Sequence, residues 1–147
     1  MIVSECPFCA IARGDGEASV VYADDAVMAF MDTAPAVPGQ VLVVPREHVS
    51  GLELLDEELG ARMWAAAHRI ARALRRSELR CEGVNLFLAD GRAAFQEVFH
   101  VHLHVLPRFA EDGFRLDARR GNPARAELET DAAAVRAGLA ALAAEKG

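Results

Sequence analysis

The sequence predicts an α+β fold built on an antiparallel sheet, and three observations carry that expectation. Four stretches, SVVYADDAVMAFMD, QVLVVP, GVNLFLA and VFHVHLHVLP, combine β-branched and aromatic residues with turn residues at their ends. Two stretches, around 56–76 and 123–142, space their apolar residues with a helical period. The order of elements is helix, hairpin, strand, helix, strand, strand, helix, which does not alternate as a βαβ array does.

ECPFCAIARG predicts a short helix stopped near Gly14. SVVYADDAVMAFMD then reads as two extended runs about an Asp-Asp turn, APAVPG as a loop, and QVLVVP as a short buried strand. Asp56 followed by Glu57 and Glu58 places acids at the positive end of a long helix. Leu59, Met63, Ile70 and Leu74 give that helix one apolar face, and Arg72, Arg75 and Arg76 suit its negative end. GVNLFLA, the loop DGRAAFQE and the strand VFHVHLHVLP follow, and RFAEDGFRLDARRGNP reads as a mobile loop. Asn122-Pro123 fits an N-cap and first helical position, with Leu128, Val135, Leu139 and Leu142 as the core stripe of a C-terminal helix.

At 147 residues the chain (1–147) is expected to form one domain, and 52% apolar composition rules out disorder of the whole. A net charge of −6 argues against a nonspecific nucleic-acid binder, which needs basic surface for phosphates. No apolar run approaches the ~20 residues that span a bilayer, and MIVSECPFC lacks the form of a signal peptide. Those features point to the cytoplasm, with no membrane and no nucleic-acid polymer among the expected partners. There a cysteine pair is a metal or redox motif more often than a structural disulfide.

HVHLHV puts His100, His102 and His104 on alternate residues. In an extended strand they share one face, while Val101, Leu103 and Val105 take the other, toward a core. A solvated strand face is one reading, although Thr, Lys and Glu serve that purpose. One metal held by all three is another, but His100 and His104 would lie roughly 13 Å apart along the strand. Zinc–nitrogen bonds of about 2 Å cannot collect both. The third reading is nucleophilic catalysis: a neutral imidazole attacks phosphorus while its other nitrogen keeps the hydrogen bond that fixes its tautomer.

HVHLHV followed by Leu106 resembles the signature of the histidine triad (HIT) superfamily. CPFCAIARG, the hairpin ending FMD, VPGQVLVVPREHV, Asn85 and HVHLHVLPR occur in that family's order across most of the chain. The resemblance implies a five-stranded antiparallel sheet with a long central helix and a C-terminal helix, a homodimer, and hydrolysis or transfer at the α-phosphate of purine nucleotides through a nucleotidyl-histidine. It implies His102 as nucleophile and His104 as the group touching phosphate or leaving group. It further implies Asp32 on the ribose hydroxyls, Asn85 and Gln96 near phosphate, and Phe8, Ile11 and Phe30 as the apolar wall around the base, with plain core packing as the other reading of these three and for Ile11 about as good a one.

The chain departs from the family at Phe95-Gln96-Glu97-Val98, where the usual run is Gly-Gln-Ser/Thr-Val. An ionised Glu97 repels a polyphosphate, so either it points away or the substrate carries less charge. Cys6-Pro7-Phe8-Cys9 resembles a redox dithiol, but only five residues precede it, too few for the strand such chemistry follows. Cys6 and Cys9 with His48 and His100 make a Cys₂His₂ set suited to structural Zn²⁺, as in zinc-bearing HIT relatives. Cys81 reads as a small core residue and His68 as structural or exposed. The arginine-rich segment carrying Arg115, Arg119 and Arg120 is a solvated loop or a basic flap. The substrates expected are dinucleoside polyphosphates or nucleoside phosphoramidates; the alternative is a nucleotide sensor or adaptor with little turnover.

Overall fold

Pro7 sits in the first turn of α1 (Pro7–Arg13), where a missing N–H costs no hydrogen bond, and Gly14 closes the helix at φ 84. The computed structural model describes residues 6–147; residues 1–5, part of the stretch read as lacking a leader, lie outside it. Two strands, β1 (Val20–Ala23) and β2 (Val27–Met31), form the expected hairpin. Asp24 shapes its turn: Oδ1 accepts from the backbone N–H of Ala26 and Val27, and Oδ2 accepts the Tyr22 hydroxyl at 2.7 Å.

β3 (Val41–Pro45) is buried along its whole length. α2 (Glu57–Arg76) starts at Asp56, whose carboxylate accepts from the N–H groups of Glu58 and Leu59. β4 (Gly83–Leu88) and β5 (Leu103–Arg108) complete an antiparallel five-stranded sheet in the order β1-β2-β3-β5-β4. α2 lays Met63, Ala66, Ala67, Ile70 and Leu74 on one face, against Val27, Ala29, Val41, Val43, Val101, Leu103 and Val105. Cys81 is buried in that core, as expected, and His68 is exposed. The opposite face, Met28, Phe30, Leu42 and Val44, meets Phe8 of α1. That second face carries the candidate site.

The histidine strand is shorter than the alternation predicts. β5 begins at Leu103, so His100, Val101 and His102 precede the ladder. The cause is Pro45, the last residue of β3. It has no N–H to offer, and its carbonyl accepts from His100 Nε2 at 2.8 Å rather than from a main-chain donor. Val101 N–H instead reaches the carbonyl of Val49 at 2.7 Å. Alternation of faces survives, because Val101 and Val105 are fully buried in the α2-side core.

The segment read as a mobile loop is in its first half a fixed turn. Arg108 donates to Asp112 at 2.6 and 2.9 Å and to the carbonyl of Phe114, and its guanidinium lies 4.7 Å from the Phe114 ring centre. This guanidinium holds the Asp112 carboxyl well below the usual carboxylate range.

The chain divides into two compact units, one ending at Phe114 and the other comprising Arg115–Gly147. The second is exposed and irregular until α3 (Arg125–Glu145). Asn122 is not its N-cap: that position is taken by Ala124, whose N–H donates to the Glu127 carboxylate at 2.7 Å, and Pro123 lies before the helix. Leu128, Val135, Leu139 and Leu142 do not form a core stripe; all four are exposed. A helical stripe is buried only against a second layer, and this unit contains a single helix. No described helix is long and apolar enough to cross a membrane.

Candidate active site and metal centre

Cross-strand register builds the floor of the site. Phe30 on β2 pairs with Leu42 on β3, Leu42 with His104 on β5, and His104 with Phe87 on β4. Directly paired residues in antiparallel strands project to the same side, so the row sets Phe30, Leu42 and His104 abreast. Above it lies a cleft of about 470 Å³ lined by Phe8, Ile11, Phe30, Asp32, His102 and His104, with Glu17, Leu42, Phe95, Glu97 and Val98 among its other walls.

The histidines divide their roles, and their partners fix each tautomer. His100 Nε2 faces the Pro45 carbonyl, which can only accept, so that nitrogen carries the proton and Nδ1 keeps its lone pair. His102 Nδ1 faces the His100 carbonyl at 2.8 Å, so Nδ1 is protonated and Nε2 is the free lone pair. His102 is only 6% exposed, yet it lines the cleft beside His104, with ring centres 4.8 Å apart. Phe8 packs its ring edge-on against His102, at 5.2 Å, and against His100.

His104 Nδ1 lies 2.9 Å from Gln40 Nε2. An amide nitrogen only donates, so Nδ1 accepts and the His104 proton sits on Nε2. The same Gln40 amide donates to Asp32 Oδ2 at 3.0 Å, and its oxygen accepts from Ala36 N–H. Burial pushes the His104 imidazole down to about 4, helped by His102 and opposed by Asp32, so it stays neutral near pH 7. Asp32 Oδ1 accepts from Ala34 N–H, which leaves each carboxylate oxygen one lone pair for a ligand.

Two expected residues are not brought to the cleft. Asn85 on β4 accepts from Arg108 through Oδ1 at 2.7 Å and lies outside the lining. Gln96 is buried, and its amide donates to the carbonyls of Ser50 and Val98 while its oxygen accepts from Gly91 N–H. Both amide protons are committed, so Gln96 clasps the loop and has none left for phosphate. Sequence reasoning missed Gln40, Glu17 and Phe95. Gln40 had a local signal, a polar residue directly before the apolar run VLVVP, and Phe95 stood where the family usually has Gly; Glu17 had none.

The other end of the row meets α1. Cys6, Cys9, His48 and His100 bring one ligand atom each within 4.8 Å of one another. His100 Nδ1, already shown to be unprotonated, lies 3.5 Å from both sulfurs, and His48 Nδ1 lies 3.3 Å from Cys9 Sγ. The sulfur–nitrogen edge of a zinc tetrahedron with bonds of about 2.3 and 2.0–2.1 Å is about 3.6 Å. The donor chemistry and the spacing therefore fit a tetrahedral metal such as zinc. Burial, then Cys6, raises the Cys9 thiol to about 11, so a metal that binds there must displace a proton.

Comparison with known proteins agrees with this geometry. The HIT domain family matches residues 13–111. An uncharacterised HIT-like protein of Borreliella burgdorferi is 40% identical over 126 residues, covering 85% of this chain and 89% of that protein. The crystal structure of a zinc-bound histidine triad family protein from Mycobacterium smegmatis superposes with a TM-score of 0.73 at 42% identity, covering 96% of this chain and 97% of the other. The Arabidopsis thaliana protein named adenylylsulfatase HINT3 is 32% identical over 109 residues, 74% of this chain and 55% of its own length. With its histidine row, its sheet and its Cys₂His₂ cluster alike, the chain belongs to the HIT domain family.

Proposed function

We propose that this protein binds a purine nucleotide and transfers its nucleotidyl group to His102 and then to water, acting on a nucleoside phosphoramidate or a dinucleoside polyphosphate. The observation that carries the reading is the tautomer pattern: a buried imidazole presents an unprotonated Nε2 to a cleft, beside a second imidazole that presents N–H. Phe8, Ile11 and Phe30 offer the base an apolar wall, and the free lone pairs of Asp32 suit a vicinal diol. The relative named as an adenylylsulfatase supports chemistry on an adenylyl group.

In the first step the Nε2 lone pair of His102 attacks the α-phosphorus, and the bond from phosphorus to the leaving atom breaks. The His100 carbonyl stabilises the positive charge that develops on the His102 ring through the Nδ1 hydrogen bond. His104 donates Nε2–H to a phosphoryl oxygen; it is already neutral, so it polarises without surrendering its proton. In the second step water attacks the phosphorus and His102 departs. Over the cycle one water supplies hydrogen to the leaving group and hydroxyl to the phosphorus.

The Cys6, Cys9, His48 and His100 set would hold zinc as a structural tie between α1 and the segment entering β5, and it supplies no chemistry to the cleft. The same reading extends to a homodimer, supported by β4 at the edge of the sheet with Phe87 exposed. Rapid quench in alkaline detergent, which preserves a phosphorus–nitrogen bond to histidine, with substrate labelled at the α-phosphorus tests the core of the proposal. A labelled adduct should form on the wild-type chain and be absent from His102→Ala. Tight nucleotide binding with no adduct would instead favour a sensor, the role that the acidic Glu97 at the cleft keeps open.

A further inference from the structure

Two features of the cleft are unlike a phosphate-binding site. Phe95 adopts φ 71, a left-handed conformation that disfavours a bulky side chain, and its ring is 82% exposed at the cleft wall. It cannot relax readily: its N–H is held by the Arg92 carbonyl, and the next residue, Gln96, is clasped from both sides of its amide. Among the described residues the lining also contains three carboxylates, Glu17, Asp32 and Glu97, and no lysine or arginine. Glu97 is exposed and has no ion-pair partner among the described residues.

The walls that α1, β2 and β3 contribute are taken up by base, ribose and α-phosphate under the function proposed above, on which this step rests. Phe95 and Glu97, from the loop leading into His102, are left for the group that departs. We infer that Phe95 and Glu97 are specificity-determining residues, selecting a leaving group with a flat apolar body and a positive charge of its own, an arylalkyl amine that carries a second, cationic amino group and is released from a nucleoside phosphoramidate. The exposed ring offers stacking and cation–π contact, and the carboxylate offers a charge partner. A polyphosphate tail extending that way meets the Glu97 carboxylate and no lysine or arginine of the described lining. Cleavage breaks the phosphorus–nitrogen bond, the electron pair leaves with nitrogen, and solvent supplies the proton that yields the free amine.

Three adenosine 5′-phosphoramidates of one benzylamine framework, bearing at the para position a cationic aminomethyl group, hydrogen or a carboxylate, test this on the full chain. Wild-type kcat/KM should favour the cationic over the anionic compound by about tenfold, and Glu97→Gln should cut that ratio by about fivefold. Phe95→Gly should reduce the preference for the neutral benzyl compound over its propyl analogue by about threefold. A wild-type ratio near one, or a ratio that Glu97→Gln leaves unchanged, overturns the inference. If no compound forms an adduct, the nucleotidyl-transfer reading fails by itself. The charge order of the three calorimetric Kd values, and its loss in Glu97→Gln, then decides the role of the subsite, and a flat order rejects it.

Discussion

Gln40 Nε2 stands 2.9 Å from His104 Nδ1 and 3.0 Å from Asp32 Oδ2, so one buried amide orients both an imidazole and a carboxylate of the cleft. Gln40 touches no reacting atom and is a positioning residue. Gln40→Glu turns the donor into an acceptor facing two acceptors, which should cost about 1–3 kcal/mol of stability. It should also lower kcat on the order of tenfold or more, with a smaller change in KM. Nitrogen-15 shifts of the His104 ring should show the proton leaving Nε2. A wild-type tautomer in that variant would refute the role.

Gly39 delivers Gln40 to that position at φ 92, and a Cβ there would approach a Leu79 methyl to 2.9 Å. Gly39→Ala should cost roughly 1–2 kcal/mol from the left-handed backbone alone. Denaturant melts measure that loss. Because the loop carries Gln40, activity should fall in the folded variant as well.

His104 sets a pH dependence of stability. Its folded value of about 4 lies below the ordinary 6.5, so the unfolded chain takes up the proton first as pH falls. The contribution is complete above pH 6.5 and is lost as pH drops toward 4. His100 is lowered by burial in the same direction. Thermal melts should therefore decline across that window, and His104→Gln should flatten the slope. An equal slope in the variant would place the titration elsewhere.

Zinc should bind the folded chain with release of at least one proton, from the Cys9 thiol, and chelation should become easier as pH falls. Titration calorimetry in two buffers of different ionisation enthalpy counts the protons. Cys9→Ser should lose the metal and melt on the order of 5 °C lower, because α1 is then untied from the His100 segment.

Much of the molecule was written in local spacing. The alternation in HVHLHV sends Val101 and Val105 into the core and the imidazoles to the other side. The periodicity from Leu59 to Leu74, the Asp56 cap and the Asp24 turn required no knowledge of distant residues. The cysteine spacing and the histidine types anticipated a cluster that the fold assembles.

Tertiary structure decided what spacing cannot encode, namely which donor meets which acceptor. Asn85 and Gln96 look free in the sequence, but Arg108 occupies one and Ser50, Val98 and Gly91 the other. Gln40 reaches His104 across 64 residues only because β3 and β5 are neighbours in the sheet. The start of β5 depends on a carbonyl of Pro45, 55 residues from the ring that captures it. Periodicity assigns a side chain to a face; hydrogen bonds are short and directional, so their partners are chosen only when the strands are laid side by side.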